Sequence, residues 1–119
     1  MAHQIVEISD NLIHIKLQGV MQVADQEALQ AQARRLIAQG KKPRLLAILD
    51  DFQGWEKSDA WENIDFLMEH GDRVERMAIV GEERWKEEAL TFVAKGLRKT
   101  EIEYFVPSAL VLAEAWVRA

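Results

Sequence analysis

Arg44-Leu45-Leu46-Ala47-Ile48-Leu49-Asp50-Asp51 is the stretch on which the fold turns. Pro43 stands before it, and from Leu45 to Leu49 it is apolar without alternation, the pattern of a strand covered on both faces. We read it as the central strand of a sheet. Met77-Ala78-Ile79-Val80, ahead of Gly81, repeats the pattern, and Ile102 to Val106 gives a last strand. Upstream, residues 3 to 8 and 12 to 19 read as two strands joined around Ser9-Asp10-Asn11. In the second of these Ile13, Ile15 and Leu17 alternate with His14, Lys16 and Gln18, so one face of the hairpin is expected in solvent.

Between the strands the apolar period lengthens to that of a helix. From about Gln22 to Gln39, Leu29, Ala33, Leu36 and Ile37 share one stripe and Gly40 is the stop signal. Residues 58 to 71 place Ala60, Ile64, Leu67 and Met68 on a stripe, residues 83 to 96 place Trp85, Ala89, Phe92, Val93 and Gly96, and residues 107 to 118 place Ala109, Leu112, Ala113, Trp116 and Val117. The order is ββαβαβαβα, an α/β fold whose crossovers are right-handed and whose sheet is parallel after the opening hairpin. With 119 residues, no repeat and no linker, the chain is expected to be one domain over 1–119.

Composition narrows the function. Hydrophobic residues make 49% and charged residues 29%, the balance of an ordinary folded domain. The net charge of -5 argues against a nucleic-acid binder, since the only basic density is Lys95, Arg98 and Lys99. Without cysteine, disulfides, thiol redox chemistry, Cys-ligated zinc and iron–sulfur clusters are excluded. The start, Met1-Ala2-His3-Gln4-Ile5-Val6-Glu7, has no basic-then-apolar leader, and no stretch approaches the roughly 18 apolar residues of a spanning helix. A cytoplasmic protein is expected, with membrane contact at most peripheral.

Asp50-Asp51-Phe52-Gln53-Gly54-Trp55 leaves the C-terminal end of the central strand, where ligands of open α/β sheets bind, and offers two carboxylates and a tryptophan for recognition. The same residues suit a turn, with aspartates tightening it and Gly54 supplying permissive dihedrals. Neighbouring carboxylates on a strand point to opposite faces and so make a poor acid–base pair. Ser58 stands where a helix would start, and an N-cap role accounts for it better than a phosphoryl role. On a wheel over 59 to 70, Phe66 falls opposite the apolar stripe, among Asp59, Glu62 and Glu69, and is expected to be exposed beside Trp55 and Trp61. Gly81-Glu82-Glu83-Arg84-Trp85-Lys86 opens a helix after a strand but lacks the glycine pattern of a phosphate cradle. His3, His14 and His70 share no spacing for a metal, and no nucleophile elbow, P-loop or dinucleotide fingerprint occurs. Neither a cofactor nor an enzymatic activity has support in the sequence.

Three blocks, Leu45 to Trp55, Arg76-Met77-Ala78-Ile79-Val80-Gly81 followed by Trp85, and Ala115-Trp116, together make the chain resemble the SpoIIAA-like family. These are small bacterial proteins of the STAS-type fold, found among anti-sigma factor antagonists and in the cytoplasmic tails of sulfate transporters. The resemblance implies a four- or five-stranded mixed sheet with helices mainly on one face. It also implies regulation by phosphorylation of a serine in an Asp-Ser-Ser-Gly-like turn. Here the corresponding stretch is Lys57-Ser58-Asp59-Ala60-Trp61, which lacks the glycine and carries a bulky tryptophan, so Ser58 departs from that pattern.

Two readings of function follow. In the first, the loop from Asp50 to Trp61 and the next helix dock a protein partner through Trp55, Trp61 and Phe66, as regulatory modules do. In the second, that helix lifts from the sheet over a pocket for a small apolar molecule or lipid, lined by Trp61, Leu67, Met68 and Trp85. Peripheral membrane contact through the same aromatics is a third, disfavoured by the surrounding acids. Homodimerisation stays open.

Overall fold

The run Leu45–Leu49 lies in the middle of a five-stranded sheet, hydrogen-bonded in parallel to a strand on either side. The computed structural model describes residues 3–119. In chain order these form β1 (His3–Ser9), β2 (Leu12–Met21), α1 (Val23–Ala38), β3 (Arg44–Trp55), α2 (Asp65–His70), β4 (Arg76–Val80), α3 (Lys86–Phe92), β5 (Glu101–Phe105) and α4 (Leu110–Arg118). Single 3-10 turns over Asp59–Glu62, Glu83–Trp85 and Pro107–Ala109 lead towards the last three helices.

The strand order is β1-β2-β3-β4-β5, with β1 antiparallel to β2 and the remaining pairs parallel. Every crossover therefore advances one strand in the same direction. Right-handed connections then put α1, α2 and α3 on one face, while α4, which follows the edge strand and is not a crossover, packs on the other. Side-chain packing agrees. Ala33, Leu36, Phe66 and Ala89 join Ile13, Ile15, Leu45, Ala47, Met77 and Ile79 in the larger core, whereas Ala113 and Val117 join Leu12, Leu46, Ala78 and Val80 in the smaller. The mixed α/β sheet with helices mainly on one face is thus as expected.

The smaller layer is fixed at its polar end. Arg44 donates through Nη1 to the carbonyls of Val117 (2.8 Å) and Ala119 (2.6 Å), and Arg76 donates through Nη1 to Trp116 (2.6 Å). These guanidiniums satisfy carbonyls that the last turn of α4 leaves without helical partners, and their charge suits the negative end of the helix dipole. Glu75 pairs with Arg44, and the Arg76 guanidinium lies 5.1 Å from the Trp116 ring centroid.

Four expectations are corrected. The central strand does not end at Asp51 but continues to Trp55, paired with β2 through Gly19↔Phe52 and Met21↔Trp55. The helix expected over 58 to 71 is broken at Asn63, whose extended backbone separates the 3-10 turn from the six residues of α2. Its helical phase shifts accordingly, so Phe66 is buried (8% exposed), while Ile64 and Met68, assigned to the inward stripe, are 52% and 75% exposed. The helix expected over 83 to 96 stops at Phe92, and Ala94 takes a left-handed φ of 61°. In α4, Leu112 faces solvent and Leu110 takes the place expected for it against the sheet.

Candidate functional site

The end of β3 contains an irregularity that decides which side chains reach the helix-covered core. Gln18 pairs with Asp50 and Gly19 with Phe52, so Asp51 is an extra residue, and it takes a left-handed φ of 49°. One inserted residue flips every following side chain to the opposite face. Phe52 therefore enters the core at 1% exposure and Asp51 is left outside. A second register shift lies between Gly19 and Met21, opposite Gly54, whose φ of 99° is accessible to glycine. It turns Trp55 onto the same side as Phe52.

An aromatic cluster results. The Phe52 centroid is 5.0 Å from Trp55 and 5.2 Å from Trp85, both edge-on, and Trp55 and Trp85 are 6.0 Å apart. Phe92 of α3 stands 5.4 Å from Trp55 and 5.2 Å from Trp61. Edge-to-face pairs each contribute about 0.5–1.5 kcal/mol beyond the area they bury. Glu56 holds the arrangement from behind: its backbone N–H donates to Met21, its carboxylate accepts from the Val23 N–H (2.7 Å), and its carbonyl accepts from Trp61 Nε1 (2.7 Å). The buried Nε1–H groups of Trp55 and Trp85 have no acceptor among the described residues.

Next to this cluster, between the sheet and the three helices of the larger layer, is a cavity of about 570 Å³. Leu17, Ala47 and Ile79 floor it, Leu29 and Ala33 of α1 form one wall, Phe92 of α3 and the following Val93 another, and Phe66 and Leu67 of α2 the roof. Trp55 and Trp61 close one end. The roof is lightly held. Its first turn is capped only by the Asn63 side chain, whose Oδ1 accepts from the Asp65 N–H at 3.0 Å, and no side chain caps it at Ile64. Over Phe66 lies the guanidinium of Arg34, 5.2 Å from the ring centroid.

Arg98 also lines the cavity. Its Nη2 donates to the Gly71 carbonyl (2.8 Å) and its Nη1 to that of Val93 (3.3 Å), while its buried Nε has no acceptor among the described residues. Burial lowers its pKa from the usual arginine value, an effect that the nearby Asp72 carboxylate partly opposes. On the edge strand β5, packed against the same larger core, Tyr104 donates to the Glu82 carbonyl (2.7 Å). Burial first, and then the charges of Glu83 and Glu82, push its pKa up to about 12.

Of the residues singled out in the sequence, Trp55, Trp61 and Phe66 are gathered at this cavity, and Trp85 packs behind Trp55 without lining it. Leu67 lines it as expected; Met68 points away. Asp50 and Asp51 take no part. Asp50 lies 3.2 Å from Lys16 Nζ and accepts from Gln18 (3.0 Å), and exposed Asp51 accepts from Gln53 (3.3 Å). Ser58 Oγ accepts from the Ala60 N–H (3.1 Å), a cap on the 3-10 turn. The Gly81 N–H is bonded to the Phe105 carbonyl, so the strand-to-helix turn there offers no free cradle. His3 pairs with Asp25 at 2.5 Å, away from His14 and His70. Among the described residues, no three His, Asp or Glu side chains converge as a metal site would require, and no helix is long and apolar enough to cross a membrane.

Sequence reasoning missed Phe52, Arg34 and Arg98. Phe52 was in view, but its inward position depends on the backbone at Asp51. Arg98 counted only as surface charge, because nothing in its neighbours signals that the chain folds it inward.

Among curated proteins no sequence matches this chain. A solved structure of an uncharacterized protein of the DUF3478 family with a SpoIIAA-like fold, from Shewanella loihica PV-4, is similar over 98% of this chain and 92% of its own, with a TM-score of 0.66 and 24% identity. That likeness concerns the fold. The SpoIIAA-like family model matches residues 12–118, from the first core position of β2 to the last turn of α4. The chain therefore belongs to the SpoIIAA-like family.

Proposed function

We propose that the protein is a non-enzymatic binding module that takes a small apolar or amphipathic molecule into the cavity under α2. The observation that carries this reading is the cavity itself, about 570 Å³ lined mainly by aliphatic and aromatic side chains in a domain of only 119 residues. Protein interiors are otherwise packed nearly like organic crystals, and a void of this size falls within the range of small-molecule sites. The short roof helix supports it too, since a six-residue helix with one side-chain cap on its first turn is readily displaced.

Decanol is a suitable first probe. Binding is expected to raise the thermal midpoint and to alter tryptophan emission, because Trp55 and Trp61 stand at the cavity's end. Leu67→Trp, which fills the space from the roof, is expected to abolish both responses while the far-ultraviolet circular dichroism is kept. No response from the native chain at any soluble concentration of decanol would remove the reading.

The partner-docking reading changes its residues. Phe66 is buried and Trp55 and Trp61 are packed against Phe92, so none of them is presented as an anchor. The outward residues are Ile64 and Met68, on the same segment that roofs the cavity. A ligand beneath the roof would move these two side chains, which makes regulated contact with a protein partner compatible with ligand binding. The acids around them, Asp59, Glu62, Asp65 and Glu69, favour a basic partner surface over an anionic bilayer. Liposome co-sedimentation at varied salt and capture assays with Met68→Asp separate the two.

A further inference from the structure

We infer that the molecule taken into the cavity is a single-chain amphiphile with an anionic head, and that Arg98 receives the head. The inference rests on the cavity reading above and adds the chemical class of its ligand.

An arginine in the wall of an apolar cavity needs an explanation. Moving a guanidinium out of water is costly unless a carboxylate or a full set of acceptors compensates it. Arg98 has two backbone carbonyls, from Gly71 and Val93, and no carboxylate among the described residues lies within ion-pair distance of it. Asp72 acts on it from further away and spends one oxygen on the Lys99 N–H. Among the described residues the buried Arg98 Nε–H has no acceptor, and neither has the buried Nε1–H of Trp55, another residue of the cavity wall. Trp55 packs on Phe92, the last residue of α3, and Arg98 donates to the carbonyl of Val93, which follows it. Of the two donors, one belongs to a cation. A carboxylate, with up to four acceptor positions and a negative charge, is the group that best compensates a wall arginine; an alcohol compensates it less and an ammonium group not at all.

The charges at the rim point the same way. Arg34, stacked over Phe66, is exposed and has no carboxylate within ion-pair distance among the described residues, and the third wall arginine, Arg44, is already paired with Glu75. The acids of the wall, Glu27 and Asp65, are exposed at its margin. Apolar floor and walls beneath these groups fit an alkyl chain, so the complete ligand is an alkanoate-like amphiphile with its anionic head at Arg98 and its chain over the sheet.

The test compares probes of one chain length on the native protein: decanoate, decanol and decylammonium, each below its micellar concentration, read by tryptophan emission and calorimetry. Decanoate is expected to bind at least about 10-fold more tightly than decanol, the scale of one charge-assisted hydrogen bond, and decylammonium most weakly. Arg98→Gln is expected to reduce the ratio of decanoate to decanol affinity to about 1, read within that variant so that a change common to both probes cancels. Arg98→Lys, which keeps the charge, is expected to retain part of the preference and serves as the variant of record should Arg98→Gln unfold. Equal affinity of the native chain for decanoate and decanol overturns the inference while sparing the cavity reading, whereas no binding of any probe removes both. Co-sedimentation with phosphatidylglycerol vesicles without any response to free decanoate also overturns it, by assigning the arginine to a membrane surface.

Discussion

Gly81 follows β4 where the chain turns towards α3, and any side chain there would force its neighbours to shift. A Cβ at this position would stand 2.6 Å from the Tyr104 hydroxyl and 2.9 Å from Leu49 Cδ1. Gly81→Ala is therefore expected to cost about 1–3 kcal/mol in chemical denaturation, as overpacking in a close-fitting site does. The hydroxyl it would strike belongs to the single tyrosine of the chain, which makes a direct titration feasible. Phenolate absorbance is expected to appear with a midpoint of about 12, above the ordinary tyrosine value. Because the folded-state pKa is raised, the contribution of Tyr104 to stability is complete below about pH 10 and is lost as the pH rises towards 12. Tyr104→Phe is expected to remove this component from an alkaline stability profile; an unchanged profile would contradict the assignment. Phe66→Ala gives a third residue-level outcome. The ring is buried, so the variant is expected to lose about 3 kcal/mol of stability, where an exposed phenylalanine would lose almost none.

The elements differ in how far the sequence reveals them. β3 was legible from Leu45 to Leu49 because both faces are buried there, and a strand covered on both sides needs no alternation. Beyond Asp51 the same strand reads as a loop in the sequence, since the bulge at Asp51 depends on a backbone conformation that two adjacent aspartates do not announce; Gly54 marks only the second irregularity. The amphipathic stripe of α1 was correct at all four positions, as expected of a 16-residue helix with several turns to define its phase. For 58 to 71 the same procedure failed, because Asn63 interrupts the helix and a wheel drawn through the break carries the wrong phase into α2. The N-cap at Ser58 was legible all the same, being a local matter of one hydroxyl and one N–H. Ser58→Ala is accordingly expected to cost no more than about 1 kcal/mol and to leave decanol binding intact, because the residue is exposed and outside the cavity. A large loss of binding would show that the 3-10 turn, and not α2 alone, controls access.

Taken whole, the molecule contains two hydrophobic layers of unequal finish. One is closed around Ala113 and Val117, both without solvent exposure, and the arginines of β3 and β4 tie the end of α4 to it. The other surrounds an unfilled space. Amide exchange is expected to be fastest between residues 56 and 72 and slowest in β2, β3 and β4, with saturation of the cavity slowing the first region most. At a ligand concentration about 100 times the dissociation constant, the whole domain should gain about 2.7 kcal/mol.

The sheet backbone stands between these layers, and the consequence is energetic independence. Side chains that alternate across a strand share no neighbours, so Ala113→Leu on one side and Leu67→Trp on the other should shift stability by amounts that simply sum. Evolution or an engineer can thus reshape the interior that meets a guest molecule while the opposite layer goes on supplying cohesion, and changes to each can be chosen without reference to the other.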